Sequence, residues 1–132
     1  MARGGLSFEN YGFESATFLA GAGIKALVTA HNRDFVVGMP VEITGSDTVD
    51  LGTDGDTIFG LIDVYENDGH VGVQFRGFRE DVPTADTTPT PGAIVALDGA
   101  GKVKDSATTA KLRNPVFINV DATNKTATVF LG

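Results

Sequence analysis

The chain carries the same β-rich pattern twice at a fixed offset. The segment Gly38–Ile43 is repeated at Gly92–Leu97, 54 residues later (92 − 38). The matching positions are Gly45 with Gly99, Val49 with Val103, Ile58 with Leu112 and, after a one-residue slip, Phe75–Gly77 with Phe130–Gly132. Such spacing predicts two copies of one supersecondary unit that pack together. Because no reactive group is repeated, the pattern favours a structural protein over an enzyme.

Composition limits the fold and the partners. A chain of 132 residues with 42% hydrophobic residues and 17 glycines fits one turn-rich domain, and many Val, Ile, Thr and Phe favour an all-β fold. The net charge of −7 argues against nucleic acid and anionic membranes as partners. No cysteine is present, which excludes disulfides and thiol nucleophiles. The start of the chain lacks the apolar core of a signal peptide, so we expect a non-secreted protein made in the cytoplasm.

The first 37 residues are predicted to form an arm and a hairpin. Residues 1–15 are glycine-rich and carry Phe8, Tyr11 and Phe13, which is unusual for a disordered tail. We interpret them as an extended arm that docks against a neighbour, with a frayed tail as the alternative. Residues 16–37 are predicted to be a hairpin around Gly21–Gly23, followed by a polar connection.

The two repeats are predicted to span residues 38–79 and 92–132. Alternation of apolar and polar residues over 71–76 is typical of a half-buried strand. The expected strands lie near 39–44, 48–51, 58–65, 70–78, 93–98, 102–104, 115–120 and 125–131. The link 80–91 contains three prolines, so we expect a semi-extended surface connector. A short helical turn is possible only at Ser106–Lys111, because no window holds a sustained apolar stripe of helical period.

The order of these elements resembles the small capsid-decoration, or head-cement, proteins of tailed bacteriophages. The likeness covers residues 16–132 and lies in the patterned strands and turns, from "GMPVEITGSDTVDLGTDGDTIFG" to "NPVFINVDATNKTATVFLG". It implies an all-β fold, a small β-barrel or β-tulip built from a tandem-duplicated unit. It also implies clustering at three-fold positions on the outer face of the head, an N-terminal extension and no catalytic residues.

The resemblance therefore predicts a virion protein whose partners are the major capsid protein and copies of itself, as a homotrimer. The extension would correspond to the arm, with Arg3, Phe8, Tyr11 and Phe13 as contacts to the capsid or to a neighbour. Arg76 lies between apolar positions that look like core and is predicted to be solvated or at an interface, with preference for the interface. No cofactor and no metal are expected. The function predicted is stabilisation of the expanded capsid lattice.

Chemical alternatives are weaker than their structural explanations. The carboxylates of Asp47, Asp50, Asp54 and Asp56 could bind Ca²⁺, but their spacing lacks the frame of a calcium loop, which favours solvated turns. His31 with Asp34 could orient an imidazole, while His70 follows an Asp-Gly turn, and neither has a nucleophile beside it.

Two short motifs and one further class of function complete the alternatives. Gly99–Lys102 resembles part of a phosphate loop and fits a hairpin turn better. Asn124–Thr126 matches a glycosylation sequon, which a cytosolic chain would not expose to the modifying enzymes. A glycan-binding module on the virion surface is the second functional hypothesis, although the chain has no Trp to stack on sugars. The sequence leaves open whether the repeats close one barrel or form two lobes.

Overall fold

The computed structural model describes residues 14–66, 68–107 and 115–132. The strands are β1 (Glu14–Ala20), β2 (Pro40–Gly45), β3 (Thr48–Asp50), β4 (Gly60–Tyr65), β5 (His70–Arg76), β6 (Phe78–Pro83), β7 (Val95–Leu97), β8 (Val103–Asp105), β9 (Val116–Asp121) and β10 (Thr126–Phe130). Helix α1 (Ala22–Ala30) and a 3-10 turn (Arg33–Val36) lie between β1 and β2. The predicted all-β barrel is confirmed, and all eight strands expected in the repeats are present within a few residues of the predicted bounds.

The first repeat closes into a five-stranded barrel with the order β1-β3-β2-β4-β5. Strand β1 runs parallel to β3 and antiparallel to β5, and the remaining neighbours are antiparallel. Val71 and Val73 point into the barrel and are fully buried, as the alternation in the sequence predicted. Ile62 pairs with Val73 across β4 and β5 and completes this inward row.

The second repeat has the same strand order. Its strands form a three-stranded sheet β6-β10-β9 and a two-stranded sheet β7-β8. Two isolated bridges join the sheets, one parallel between Thr84 and Val103 and one antiparallel between Ile94 and Val116. The parallel bridge corresponds to the β1–β3 pair and the antiparallel bridge to the β2–β4 pair. The second repeat is therefore a more open version of the first barrel.

Hydrogen bonds that recur at equivalent positions show the duplication most directly. The backbone N–H of Gly38 donates to the Ile62 carbonyl at 2.7 Å, and that of Gly92 donates to the Phe117 carbonyl at 2.7 Å. Both glycines have a positive φ, +89° and +85°, a conformation that disfavours other residues. In the hairpins, Ile43 pairs with Val49 as Leu97 pairs with Val103, 54 residues later.

The structural repeat begins earlier than the sequence pattern indicated. Strand β6 is the counterpart of β1, because the N–H of Ala20 donates to the Gly69 carbonyl and the N–H of Thr84 donates to the Lys125 carbonyl. The connector predicted at 80–91 therefore starts inside a strand. Pro83 is tolerated there because it is the last residue of β6, while the other prolines lie beyond the strand.

Each repeat has its own hydrophobic core. The first core is built from Ala20, Ile24, Val36, Met39, Val41, Val49, Ile62, Tyr65, Val71 and Val73. The second is built from Ile58, Leu61, Val82, Val95, Leu97, Val103, Phe117, Ala127, Val129 and Leu131. Ile58 and Leu61 belong to the first repeat in sequence but pack in the second core. The repeats therefore form two lobes that share side chains at their junction.

The predicted hairpin at 16–30 is wrong in its second half. Ala16–Ala20 lies in β1 as expected, but Gly21 caps helix α1 instead of forming a β-turn. The carboxylate of Asp50, on β3, accepts hydrogen bonds from the N–H groups of Gly23 (3.2 Å) and Ile24 (3.0 Å). A Cβ at position 23 would lie 2.8 Å from Asp50 Oδ1, so the glycine makes room for this capping carboxylate.

Most residues of the predicted arm and of the predicted helical turn lie outside the described part of the chain. Glu14 and Ser15, placed at the end of the arm, belong to β1, and residues 1–13 lie outside the described part of the chain. In the expected turn Ser106–Lys111, residues 108–111 lie outside it too, as does Leu112.

Candidate interaction surface

Arg76, the one described residue that was predicted to lie at an interface, ends β5 and is exposed. An open groove of about 570 Å³ lies beside it, lined by Arg76, Phe130, Leu131 and Gly132. Glu14 is the cross-strand partner of Arg76. Strand β1 therefore begins at the edge of this groove, which we call the Arg76 groove.

The four predicted contact residues of the arm, Arg3, Phe8, Tyr11 and Phe13, lie outside the described residues. The first described residue after them is Glu14, with which β1 begins and which pairs with Arg76.

A row of apolar side chains continues from the groove across the outer face of sheet β6-β10-β9. Phe78 pairs with Phe130, and Phe130 pairs with Val116. The Phe78 and Phe130 rings lie 4.7 Å apart between centroids, yet Phe78 is 60% exposed. Ile118, two residues after Val116 in β9, is 44% exposed. We call Phe78, Phe130, Val116 and Ile118 the outer row.

Phe78 is one of the apolar positions around Arg76 that were predicted to belong to the core, and this prediction is wrong. Phe75 and Phe78 are three residues apart, and residues at odd spacing in an extended chain point to opposite faces. Gly77, with φ of +90°, also separates β5 from β6. Phe75 stacks on Phe59, with ring centroids 5.7 Å apart, whereas Phe78 faces outward. The odd spacing of Phe75 and Phe78 indicates opposite faces, but the prediction continued the alternation of β5 past Gly77.

A buried amide holds the junction beneath this surface. Gln74 is 1% exposed, and its Nε2 donates to the Arg76 carbonyl at 2.9 Å and to the Phe78 carbonyl at 3.0 Å. The N–H of Leu131 donates to the Gly77 carbonyl at 2.8 Å. Arg79 of β6 forms a salt bridge with Asp63 of β4 at 2.9 Å. The groove and the outer row therefore sit on a junction that is fixed on both sides of Gly77.

Acidic turns lie elsewhere on the same repeat. At the β9–β10 turn, the Asp121 carboxylate accepts hydrogen bonds from Asn124 through its backbone N–H and its side-chain amide. These bonds, with a smaller one from the Thr123 N–H, hold the pKa of Asp121 below its usual value. The carboxylate is therefore ionised at neutral pH and adds to the acidic surface of a chain with net charge −7.

The four aspartates considered for calcium have separate roles. Asp50 caps α1, Asp54 forms a salt bridge with Lys104, and the backbone carbonyl of Asp56 accepts a hydrogen bond from Leu97. Asp47 lies in the β2–β3 turn with φ of +54°. Within residues 14–66, 68–107 and 115–132, no three His, Cys, Asp or Glu side chains are grouped so that they could hold a metal ion.

The two histidines lie in unrelated surroundings. His31 is stacked on Phe35, with ring centroids 3.8 Å apart, at the C-terminal end of α1. His70 begins β5, and its Nδ1 lies 2.9 Å from Asp68 Oδ1. The side chain of His70 lowers the pKa of Asp68, and so does the backbone N–H of His70, which donates to Asp68 Oδ1 at 3.2 Å.

The two remaining motifs are turns. Asp98 Oδ1 accepts hydrogen bonds from the N–H groups of Ala100 (2.7 Å) and Lys102 (2.9 Å), which closes the β7–β8 hairpin. The prediction that Gly99–Lys102 is a hairpin turn is confirmed. Asn124 of the sequon lies in the β9–β10 turn and donates its side-chain amide to Asp121.

In the described part of the chain, no helix is long and apolar enough to cross a membrane.

Comparison with known proteins identified no relative of this chain. No protein-family model matches the sequence, no curated protein is significantly similar to it, and no solved structure matches its fold.

Proposed function

We propose that this protein is a capsid decoration protein that binds the outer surface of a bacteriophage head and stabilises the expanded lattice. The observation that best supports this proposal is the position of Arg76. The Arg76 groove lies beside Glu14, the first residue of β1, and the sequence before Glu14 is rich in aromatic residues. An extended segment beside a groove is a common means of binding another protein.

The proposed mechanism is mechanical. The arm, with Arg3, Phe8, Tyr11 and Phe13, would lie along a coat subunit while the barrel rests on the next subunit through the Arg76 groove. Aromatic and arginine side chains supply most of the binding energy in protein interfaces. Each bound copy would bridge two subunits and raise the free energy needed to separate them. Attachment at many lattice positions would compensate for a modest affinity at each.

Attachment can be tested by co-sedimentation of the purified protein with empty heads of its own phage, before and after expansion. We expect saturable binding to expanded heads at a fixed ratio to coat subunits. Deletion of residues 1–13 should weaken binding and leave the thermal unfolding transition intact, because β1 begins at Glu14. Deletion of residues 1–15 is a useful comparison, because it also removes the first two residues of β1.

Two variants separate the groove from the rest of the surface. Arg76→Ala should weaken attachment, whereas Arg33→Ala, a change of the same residue type beside α1, should not. Absence of binding to either form of the head would refute the proposed function. A glycan role would then be tested by adding bacterial polysaccharide and following the loop signals by NMR.

A further inference from the structure

The two repeats treat equivalent surfaces differently. In the first repeat, the outward row beside the inward pair Ile62–Val73 consists of Leu61, Gln74 and Ser15. Leu61 is completely buried and Gln74 is 1% exposed, because the second repeat covers them, whereas Ser15 at the end of the row is exposed. The covering repeat supplies the apolar contacts of Leu61 and the Phe78 carbonyl that accepts from Gln74.

In the second repeat, the inward pair is Phe117–Val129, and the equivalent outward row is Val116, Phe130 and Phe78. The outer row is more apolar than its counterpart, since Phe130 takes the place of Gln74 and Phe78 takes the place of Ser15. The sequence pattern had matched Phe130 with Phe75, and that match is wrong by one residue. It is nevertheless more open, since Val116 and Phe130 are half-buried where Leu61 and Gln74 are buried, and Phe78 and Ile118 beside them are 60% and 44% exposed. The second repeat covers this surface of the first repeat. Among the described residues, nothing covers the equivalent surface of the second repeat in the same way.

The outer row is also continuous with the junction between the repeats. The Phe78 backbone carbonyl accepts from buried Gln74, while its ring lies on the open row. Leu131 and Gly132, which line the Arg76 groove, follow Phe130 directly, and the Leu131 N–H bonds to Gly77 at the junction. A protein bound to the outer row would therefore extend the interface that already exists between the two repeats.

We infer that the outer row is the surface through which one copy of this protein packs on a second copy. The occupant of the equivalent surface in the first repeat is a unit of this same fold, and a second copy supplies such a unit. Aromatic side chains in contact, such as Phe78 and Phe130, are typical anchors of protein interfaces. This inference deepens the proposed function, on which it rests for a role in assembly, by locating contact between copies near the start of β1.

Self-association can be measured on the isolated full-length protein by sedimentation equilibrium over a range of concentrations. We expect the wild type to be oligomeric, and Phe78→Arg and Ile118→Arg each to raise its dissociation constant by about tenfold or more. The matched controls are Phe35→Arg and Ile43→Arg, which change the same residue types at sites 43% and 48% exposed elsewhere on the surface. Both controls should leave the dissociation constant unchanged.

Circular dichroism and thermal unfolding identify any variant that fails to fold. Phe78→Arg and Ile118→Arg test the outer row independently, so one folded variant is enough for the measurement. A monomeric wild type would overturn the inference, as would an oligomer that Ile43→Arg dissociates and Ile118→Arg does not. Phage heads take no part in this measurement. Self-association without head binding would refute the proposed function and support the inference, and head binding by a monomer would do the reverse.

Discussion

Asp50 and Ile24 are 26 residues apart in sequence, and a hydrogen bond of 3.0 Å joins the Asp50 carboxylate to the Ile24 N–H. The same carboxylate accepts from Gly23 and from its own neighbour Leu51. Strand β3 thus caps a helix that has no side-chain cap of its own and no acidic residue in its first turn. A capping carboxylate satisfies N–H groups that the helix leaves unpaired and complements the positive end of its dipole.

Asp50→Ala should destabilise the protein by about 1 kcal/mol, the typical cost of losing a helix cap. Asp50→Asn keeps an oxygen acceptor and should cost less. Chemical denaturation followed by circular dichroism measures both values. Asp47→Asn, in the adjacent turn, is a control that removes a nearby negative charge and keeps a residue type that tolerates the positive φ of this position. Equal stability of Asp50→Ala and wild type would show that the cap contributes nothing.

This cap explains why sequence reasoning misassigned residues 21–30. Gly21 and Gly23 are typical of a turn between strands, and the partner that makes them a helix start lies in β3. Ile24, Leu27 and Val28 do have helical spacing, but a stripe of one and a half turns is shorter than a sequence window can separate from a strand. Ile24 is fully buried in the first core. Tertiary packing and a remote carboxylate therefore decided an element that local propensity left ambiguous.

Gln74→Leu should destabilise the protein by about 1–3 kcal/mol, although it replaces a buried polar side chain with an apolar one of similar size. The substitution leaves the carbonyls of Arg76 and Phe78 without the donor that joins them, and we expect this loss to outweigh the removal of the buried Gln74 Oε1, which has no hydrogen-bond partner among the described residues. A buried polar group left unpaired costs this amount. The midpoint of urea unfolding is the measurement. A gain in stability would mean that water satisfies both carbonyls.

Gly38→Ala and Gly92→Ala should have similar effects, because the two glycines are equivalent in the repeats. Each has a positive φ, and a Cβ at either position meets no atom nearer than 3.9 Å. The cost is therefore conformational, about 1–2 kcal/mol for each. Gly60→Ala should cost more, because its Cβ would collide with the backbone of Gln74. Thermal unfolding of the three variants tests this order, and a much larger effect at Gly92 than at Gly38 would contradict the equivalence.

The sequence contained enough information for the strands and the duplication, but less for the surface. Apolar and glycine positions at a spacing of 54 residues predicted the equivalent pairs Ile43–Val49 and Leu97–Val103. The same approach could not identify β6 as the counterpart of β1. The first repeat inserts α1 and the 3-10 turn where the second has a short Pro/Thr loop, so the offset changes there. The exposure of Phe78 also depends on how the two repeats pack on each other. The pattern of apolar residues in the sequence does not contain this information.

Glu42→Gln should change the pH dependence of stability in a defined direction. Burial raises the pKa of Glu42 above its ordinary 4.5, opposed by the hydrogen bond from the Thr53 N–H, and the nearby Asp56 raises it further. A group whose pKa is higher in the folded state binds its proton more tightly there, so its stabilising contribution is present below pH 4.5. That contribution is lost as the pH rises through the folded-state pKa.

Glutamine cannot ionise but keeps an oxygen acceptor for Thr53, so Glu42→Gln should not show this loss. Melting temperatures of wild type and variant should be nearly equal at pH 3.5, and the variant should become relatively more stable between about pH 4.5 and pH 7. Asp121→Asn is an informative contrast, because the folded-state pKa of Asp121 is lowered. Its contribution is present above the ordinary pKa of 3.8 and is lost as the pH falls through the folded-state value. A wild-type advantage over Glu42→Gln that grows towards neutral pH would show that the Thr53 hydrogen bond outweighs burial and Asp56.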